Sequence, residues 1–351
     1  MPAAVSVAPE PAAAVKLNRF VCLDGCRTYA AIGVVWLHSL RPEGLGVWEV
    51  LGRFGVPLFS ASAAYLCVDS VLRSGPKPIG AYTAGRIKRL LVPFLAWSII
   101  YVIARSIKPL LMGHGNRIDA GWHTLWSGTA HHLWFLPFIF VATLLLFVLA
   151  CAVHKVPRAA GVVMLALSAA ALAMPLGAVR NWWVAHGGRE ENIYTASLAG
   201  DTLAALLSGA AIAFLCAGKP LATLLGNQWR TIGLISLLSF AAVNVALLLT
   251  GRVGALENLA GMLLLTFALL PFDWRILRVL ALGGPIAFGV YLAHILPVDL
   301  MRGILPPYVE KLGISTASGW WDITTFGVAL IVSAAVCIVL RRIKPLAWLV
   351  G

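Results

Sequence analysis

The stretch from Leu23 to His38, LDGCRTYAAIGVVWLH, is apolar except for a few residues, of which Asp24, Arg27 and His38 are costly to bury. Arg27 and His38 are 11 positions apart, so a helix of about 100° per residue carries both on one face, about 16 Å apart along its axis. Asp24 lies one turn before Arg27 on nearly the same stripe. An ionisable residue inside a membrane indicates a functional site, because burying it is expensive. A purely structural interpretation stays open, in which Arg27 snorkels to an interface beside Asp24 and His38 is interfacial.

The composition of the whole chain indicates a membrane protein. Of its 351 residues, 60% are hydrophobic and only 12% are charged, with a mean hydropathy of +0.88. Soluble domains carry about 25% charged residues. We therefore predict an all-α, polytopic membrane helix bundle with about ten transmembrane helices, each long enough to cross a bilayer. The ten candidate spans are 20–40, 47–71, 88–111, 132–153, 159–179, 197–217, 230–250, 254–272, 277–298 and 320–340.

Lysine and arginine are unequally distributed among the loops. If the N-terminus is cytoplasmic, nearly twice as many fall on the cytoplasmic side, as the positive-inside rule expects. We expect a multi-pass protein of the inner membrane with both termini in the cytoplasm, in contact with membrane lipids. The net charge of +13 then needs no nucleic-acid partner. We expect residues 1–16 to form a disordered cytoplasmic tail without a cleavable signal, and 17–351 to form the membrane domain.

The second span contains RFGVPLFSASAAYL, residues 53–66, in which Arg53 is followed by Pro57 and a run of small residues. Proline removes a helical hydrogen bond. The small residues indicate either close helix packing or a narrow path for an acyl chain.

A basic cluster, defined here as Arg86, Lys88 and Arg89, lies at the entry to the third span in GRIKRLLVPF, just before an apolar run. Arg86 and Arg89 are one helical turn apart, and guanidinium groups bind phosphate through forked hydrogen bonds. The alternative is a topological anchor that binds no ligand.

Two further segments carry histidine beside aromatic residues. HHLWFLPFIF contains His131, His132 and Trp134, and FGVYLAHILPV contains Tyr291 and His294. Interfacial anchoring and helix packing are the alternatives to substrate binding. The six cysteines form no CxxC pair, and the chain has no HExxH motif, so we expect no metal site.

Five segments, in this order along the chain, resemble the acyltransferase family 3 membrane proteins: LDGCRTYAAIGVVWLH, RFGVPLF, RIKRLLVPF, HLWFL and FGVYLAH. The Arg-x10-His spacing is the most specific part of the resemblance and is matched by Arg27 and His38. The Arg-x-x-Arg pattern is matched by Arg86 and Arg89. The resemblance implies about ten membrane helices and the transfer of an acyl group, commonly acetyl, from acetyl-CoA to an extracytoplasmic carbohydrate.

The resemblance also suggests roles for the candidate residues. The basic cluster would bind the phosphates of CoA, Arg27 would steer the pantetheine arm, and Asp24 would pair with Arg27. His38 would act as a general base or be transiently acetylated. The acceptor is an exopolysaccharide, an O-antigen, a lipid-linked sugar or a small glycoside, and the acyl group is acetyl or longer. The candidate substrate-binding residues are Arg53, His132, Trp134, Tyr291 and His294.

Two other functions stay open at this point. A transporter or flippase would line its substrate path with the buried Asp, Arg and His residues. A non-catalytic membrane scaffold would tolerate replacement of His38.

Overall fold

The computed structural model describes residues 12–41, 45–112, 124–174, 182–187, 190–251 and 254–351. In these ranges the regular structure is helical and no strand occurs, which confirms the predicted all-α class. The α-helices are α1 (Ala12–Ser39), α2 (Gly55–Ser74), α3 (Ile79–Arg86), α4 (Val92–Met112), α5 (Thr124–Ser127), α6 (Phe135–Val153), α7 (Pro157–Ala173), α8 (Glu190–Asp201), α9 (Leu203–Cys216), α10 (Leu221–Leu225), α11 (Trp229–Thr250), α12 (Ala255–Ala268), α13 (Arg275–Ala281), α14 (Gly284–Ala293), α15 (Ile295–Gly303), α16 (Pro306–Glu310) and α17 (Gly319–Arg342). Three 3₁₀ segments, Gly46–Gly52, Gly226–Gln228 and Lys344–Val350, and one π-helical turn, Ile87–Leu91, complete the described helical elements that have assigned bounds.

Five helical segments in the described ranges are long and apolar enough to cross a membrane, and a sixth is formed by the bent pair α13 and α14, whose axes differ by 56°. Helices α7, α9 and α12 are apolar but shorter. Together with α1, these segments coincide with the ten spans predicted from the sequence. The five are Gly46–Ser74, Ile79–Ile107, Phe135–Val153, Leu221–Thr250 and Gly319–Arg342.

The predicted tail, residues 1–16, falls largely outside the described residues. Residues 1–11 are not described, and helix α1 already begins at Ala12. The described helices pack around shared buried cores that draw residues from α1, α2, α4, α6, α9, α12 and α14.

Helix α1 lies at the centre of this packing, in contact with α2, α12, α13, α14, α15 and α17. Close approach depends on glycine. A Cβ on Gly52 would overlap the carbonyl oxygen of Gly33, and one on Gly55 would lie 2.9 Å from the carbonyl oxygen of Ala30. The start of α2 is therefore held directly against the half of α1 that leads to His38.

The small residues of α2 serve a packing role. Ser60, Ala61 and Ser62 are buried, and a Cβ on Gly209 of α9 would overlap the carbonyl oxygen of Ala61. Helices α2 and α9 are thus in backbone contact, which favours the packing interpretation of this run over an open acyl path.

The π-helical turn between α3 and α4 has a local cause. The backbone N–H of Val92 donates to the carbonyl of Ile87, five residues earlier. The next residue, Pro93, has no N–H, and its ring clashes with the carbonyl four residues before it. The wider turn carries Lys88 and Arg89, and such turns are frequent at functional sites.

Candidate active site

Four imidazoles from three separate segments meet at the C-terminal end of α1, and we call His38, His131, His132 and His294 the histidine cluster. The ring of His38 lies 4.6 Å from that of His131 and 5.2 Å from that of His294. His132 lies 4.9 Å from His294 and 5.9 Å from His131. His131 is exposed and His38 is half-buried, whereas His132 and His294 are buried. The cluster therefore has an accessible side, formed by His38 and His131, and a buried base.

The two buried histidines, His132 and His294, are fixed by hydrogen bonds to backbone carbonyls. Nε2 of His132 lies 3.2 Å from the carbonyl oxygen of Leu292, and Nδ1 of His294 lies 2.7 Å from that of Tyr291. Tyr101 donates its hydroxyl proton to the same Leu292 oxygen at 2.7 Å, and Tyr291 donates to the carbonyl of His132. These bonds tie the start of α6 to the junction of α14 and α15. The orientation of the two buried rings is thereby set before any ligand arrives.

The turn that carries His131 and His132 is also held in place. Gly128 has φ +72°, a left-handed value that favours glycine, and a Cβ there would lie 2.7 Å from the Leu133 side chain. The Thr129 hydroxyl donates to the carbonyl of Ser98 at 2.7 Å, and Arg105 donates to the carbonyl of Thr129. Helix α4 thus positions the turn.

His131 is neutral at physiological pH. Desolvation of the ring by the surrounding protein, together with the positive charge of Arg105, lowers the pKa of His131 to about 4. A neutral imidazole has one N–H donor and one lone pair, so His131 is able to accept a hydrogen bond.

Two arginines lie close enough to His38 to act on it electrostatically, Arg53 and Arg302. Arg53 is bonded to Glu49 at 2.6 Å and lies 3.9 Å from Glu257. Carboxylates therefore largely neutralise the charge of Arg53 in this structure. Its predicted role in substrate binding stays a prediction.

An ion pair with a buried carboxylate holds the chain just beyond His38. Nε of Arg41 donates to Asp322 at 2.8 Å, and the same carboxylate accepts the backbone N–H of Leu45 at 3.0 Å. The Asp322 side chain is fully buried at the start of α17. This clamp fixes the end of α1, and with it His38.

At the other end of the predicted stripe, Arg27 lies 3.5 Å from Asp24, as the sequence predicts. Both side chains are half-buried. The break between α13 and α14 packs beside them, since a Cβ on Gly284 would lie 2.9 Å from the Cβ of Asp24. A bent helical segment therefore borders the ion pair.

In the basic cluster, Arg86 is oriented and its neighbours are not paired. Nε of Arg86 donates to the hydroxyl of Tyr82 at 3.0 Å, and its guanidinium group lies 5.2 Å from the centre of that ring. Tyr82 contacts the thiol of Cys67 at 3.0 Å and stacks on Phe147 at 3.9 Å. Lys88 and Arg89 are exposed. Among the described residues, no carboxylate forms an ion pair with any of the three cations.

Helix α6 connects the histidine cluster to the surroundings of Arg86 in the basic cluster. Phe135 follows the histidines at the start of α6, and Phe147, which stacks on Tyr82, lies 12 residues later. That is about 18 Å along the helix axis, close to the separation of about 16 Å between Arg27 and His38 on α1. The axial spacing from the histidines to the Tyr82–Arg86 pair along α6 is thus similar to the axial spacing from His38 to Arg27 along α1.

The structure brings together some of the predicted site residues and separates others. His38, His132, His294 and Tyr291 meet, although they come from three distant segments. Trp134 is buried against Phe138 in the turn behind them, at a ring separation of 5.7 Å. In the ranges that the structure describes, no group of three or more His, Cys, Asp or Glu side chains has a geometry suited to a metal ion.

The sequence interpretation did not assign roles to His131, Tyr82 or Asp322. The double histidine was visible in the sequence, but its pairing with His38 spans 93 positions and no local pattern signals it. Tyr82 lies four residues before Arg86, and this helical spacing was a sequence signal for their contact.

Comparison with known proteins supports the family resemblance. No curated protein and no solved structure matches the chain significantly. The family model described as an acyltransferase domain, that of acyltransferase family 3, matches residues 20–342. Because this match covers nearly the whole chain, and because the described helices include several that are long and apolar enough to span a membrane, the protein belongs to acyltransferase family 3 and is a multi-pass membrane acyltransferase.

Proposed function

We propose that this protein transfers an acetyl group from cytoplasmic acetyl-CoA to a hydroxyl group of an extracytoplasmic carbohydrate. The acceptor would be an exopolysaccharide, an O-antigen or a lipid-linked sugar. The observation that carries the proposal is the position of His38. It lies at the accessible side of the histidine cluster, on the same helix as Arg27 and about 16 Å from it along the axis.

In this proposal the basic cluster receives the donor. Arg86, Lys88 and Arg89 have no carboxylate partner among the described residues, so their charges are available to the phosphates of CoA. Arg27 differs, because Asp24 already pairs with it. Arg27 would therefore guide polar groups of the pantetheine arm instead of binding phosphate.

His38 would act at the point where the thioester meets the acceptor. As a general base, it takes the hydroxyl proton while the acceptor oxygen attacks the thioester carbonyl carbon. The carbon–sulfur bond then breaks, and the proton passes from His38 to the sulfur of CoA. Alternatively, the imidazole attacks the carbonyl carbon and is transiently acetylated before the acceptor oxygen takes the acyl group. Both routes leave the acetyl ester and free CoA.

The buried residues of the cluster would support this chemistry from below. His132, His294 and Tyr291 are closed off from solvent, so a substrate would touch them only if it displaced a neighbour. In the proposal they hold the base of the acceptor site. In the proposal, a sugar contacts the accessible side of the cluster, which is formed by His38 and His131.

The test is acetyl transfer across a membrane by the purified chain in proteoliposomes. Labelled acetyl-CoA is supplied only on the face where the basic cluster is exposed, and a mixture of glycans is enclosed on the other. Orientation is determined by labelling a cysteine introduced at Lys344. We expect labelled ester on the enclosed glycan and free CoA on the donor side.

Two outcomes of this experiment would contradict the proposal. Uptake of label without ester formation would indicate a transporter and overturn the proposed reaction. Ester formation only when donor and acceptor share one side would overturn the proposed sidedness. Long-chain acyl-CoA in place of acetyl-CoA tests the identity of the acyl group.

A further inference from the structure

The side chain of His38 has a single direct hydrogen-bond partner among the described residues. Its Nδ1 lies 3.1 Å from Nε2 of His131, and the two rings meet edge to face. A bond between two ring nitrogens requires one N–H and one lone pair, so one of the two rings is the donor. The other nitrogen of His38 is left for the reaction.

The two buried histidines are held by the backbone and not by His38. A carbonyl oxygen only accepts hydrogen bonds, so the contacts to Leu292 and Tyr291 put a proton on Nε2 of His132 and on Nδ1 of His294. The remaining nitrogens of these two rings carry lone pairs, and neither has a hydrogen-bond partner among the described residues. Both rings are thus oriented by the backbone, and neither forms a hydrogen bond with His38.

We infer that His131 is a positioning residue for His38: its Nε2 accepts a hydrogen bond from Nδ1–H of His38 and leaves the lone pair on Nε2 of His38 facing the acceptor hydroxyl. This inference rests on the proposed acyl transfer. It assigns a task to a residue that lies in a turn, one position before the buried His132.

The hydrogen bond matters because an imidazole with its proton on Nε2 is the wrong tautomer for a base at that nitrogen. When the acceptor hydroxyl reacts, its proton moves to Nε2 of His38, and the acceptor oxygen bonds to the thioester carbon. The His38 imidazolium keeps its Nδ1–H hydrogen-bonded to Nε2 of His131. The carbon–sulfur bond then breaks, and the sulfur takes the proton from Nε2 of His38. His131 gains and loses no proton in this sequence.

The surroundings of His131 suit an acceptor. Arg105 lies near it, and its positive charge opposes a second proton on the ring. The same arginine donates to the carbonyl of Thr129 and so holds the turn. His131 therefore remains a neutral hydrogen-bond acceptor in a fixed position.

The kinetic test compares three variants of the purified full chain. His131→Phe keeps a ring and removes the acceptor, whereas His131→Gln offers an amide oxygen near the position of Nε2. His154→Gln is the control, because His154 is an exposed histidine at the far end of α6 that bonds the carbonyl of Cys151. We expect His131→Phe to lower kcat about 100-fold and His131→Gln less than about tenfold, with donor Kd unchanged in both. Retention of wild-type kcat by His131→Phe overturns the inference.

A second measurement does not depend on turnover. In protein labelled with ¹⁵N-histidine, the His38 signals are those lost in His38→Ala. We expect a protonated Nδ1 and an unprotonated Nε2 in the wild type, and a mixture of tautomers in His131→Phe. A wild-type His38 protonated on Nε2 overturns the inference. If the wild type transfers no acetyl group, the proposed function fails, and the nitrogen spectrum still shows whether His131 sets the tautomer.

Discussion

The histidine cluster and the basic cluster differ in how their polar groups are satisfied. In the histidine cluster, backbone carbonyls orient His132 and His294, and carboxylates pair with the nearby Arg53 and Arg41. In the basic cluster, Lys88 and Arg89 are exposed and have no ion-pair partner among the described residues. Pre-organised groups are what a reacting centre needs, whereas unpaired cations suit the capture of an anion.

The largest effect is expected from removal of the proposed general base, His38. We expect His38→Ala to lower the rate of acetyl transfer at least about 1,000-fold, because general-base catalysis and the position of the base are lost together. The measurement is kcat at saturating acetyl-CoA, with elution as a folded monodisperse species confirmed for each protein. His154→Ala serves as the control, and a His38→Ala enzyme within tenfold of wild type would refute the assignment.

Two ion pairs that differ in burial test the clamp at the end of α1. Asp322 is fully buried and holds Arg41, whereas Asp273 is exposed and lies 3.3 Å from Arg278. We expect Asp322→Asn to reduce the free energy of unfolding by about 3 kcal/mol, since it leaves a cation without its buried partner. Asp273→Asn should change it by less than about 1 kcal/mol. Thermal unfolding in detergent measures both, and equal melting temperatures for the two variants would contradict the proposed clamp.

Replacement of a cation in the basic cluster tests the donor site. A charge-assisted hydrogen bond contributes about 1.5–3 kcal/mol, so we expect Arg89→Ala to raise the Kd for acetyl-CoA at least about tenfold. Arg278→Ala is the matched control, because Arg278 is also exposed but pairs with Asp273. Binding is measured by titration of the purified protein. Equal Kd values for Arg89→Ala and wild type would remove Arg89 from the donor site.

The smallest effect is expected at Tyr82, which accepts a hydrogen bond from Arg86. Tyr82→Phe keeps the stacking on Phe147 and removes the hydroxyl, so we expect a rise of about threefold to tenfold in the Kd for acetyl-CoA. In the double variant Tyr82→Phe/Arg86→Ala, the tyrosine change should add nothing further, because it acts through Arg86. Additive effects on the binding free energy would show that Tyr82 acts by another route.

The sequence predicted the helical class and the positions of the helices well. Long apolar runs give a strong signal, and each of the ten predicted spans coincides with a helical segment or bent pair. That α1, α7, α9 and α12 also cross the membrane stays a prediction, because their length and composition do not establish it. The pairing of Asp24 with Arg27 was also predictable, since it lies within one helical turn.

The candidate site was only partly predictable. His38, His132, Tyr291 and His294 were each selected from their own segments, but no local pattern fixes which ring faces which. The contact of His38 with His131 and that of Arg41 with Asp322 depend on tertiary packing across 93 and 281 positions. The sequence predicted a regular helical spacing for Arg86 and Arg89, but the structure has a π-helical turn at Ile87–Leu91. Pro93, just after this turn, was the available signal.

The most direct test of the account compares the two clusters in one experiment. Acetyl-CoA binding and turnover are measured side by side for the wild type, His38→Ala and Arg89→Ala, all purified in detergent. We expect His38→Ala to bind acetyl-CoA like the wild type without turning it over. We expect Arg89→Ala to bind weakly but to reach near wild-type kcat at saturating donor. If both variants lose binding and turnover together, or if the wild type has no affinity for acetyl-CoA, the division of labour between the clusters is contradicted.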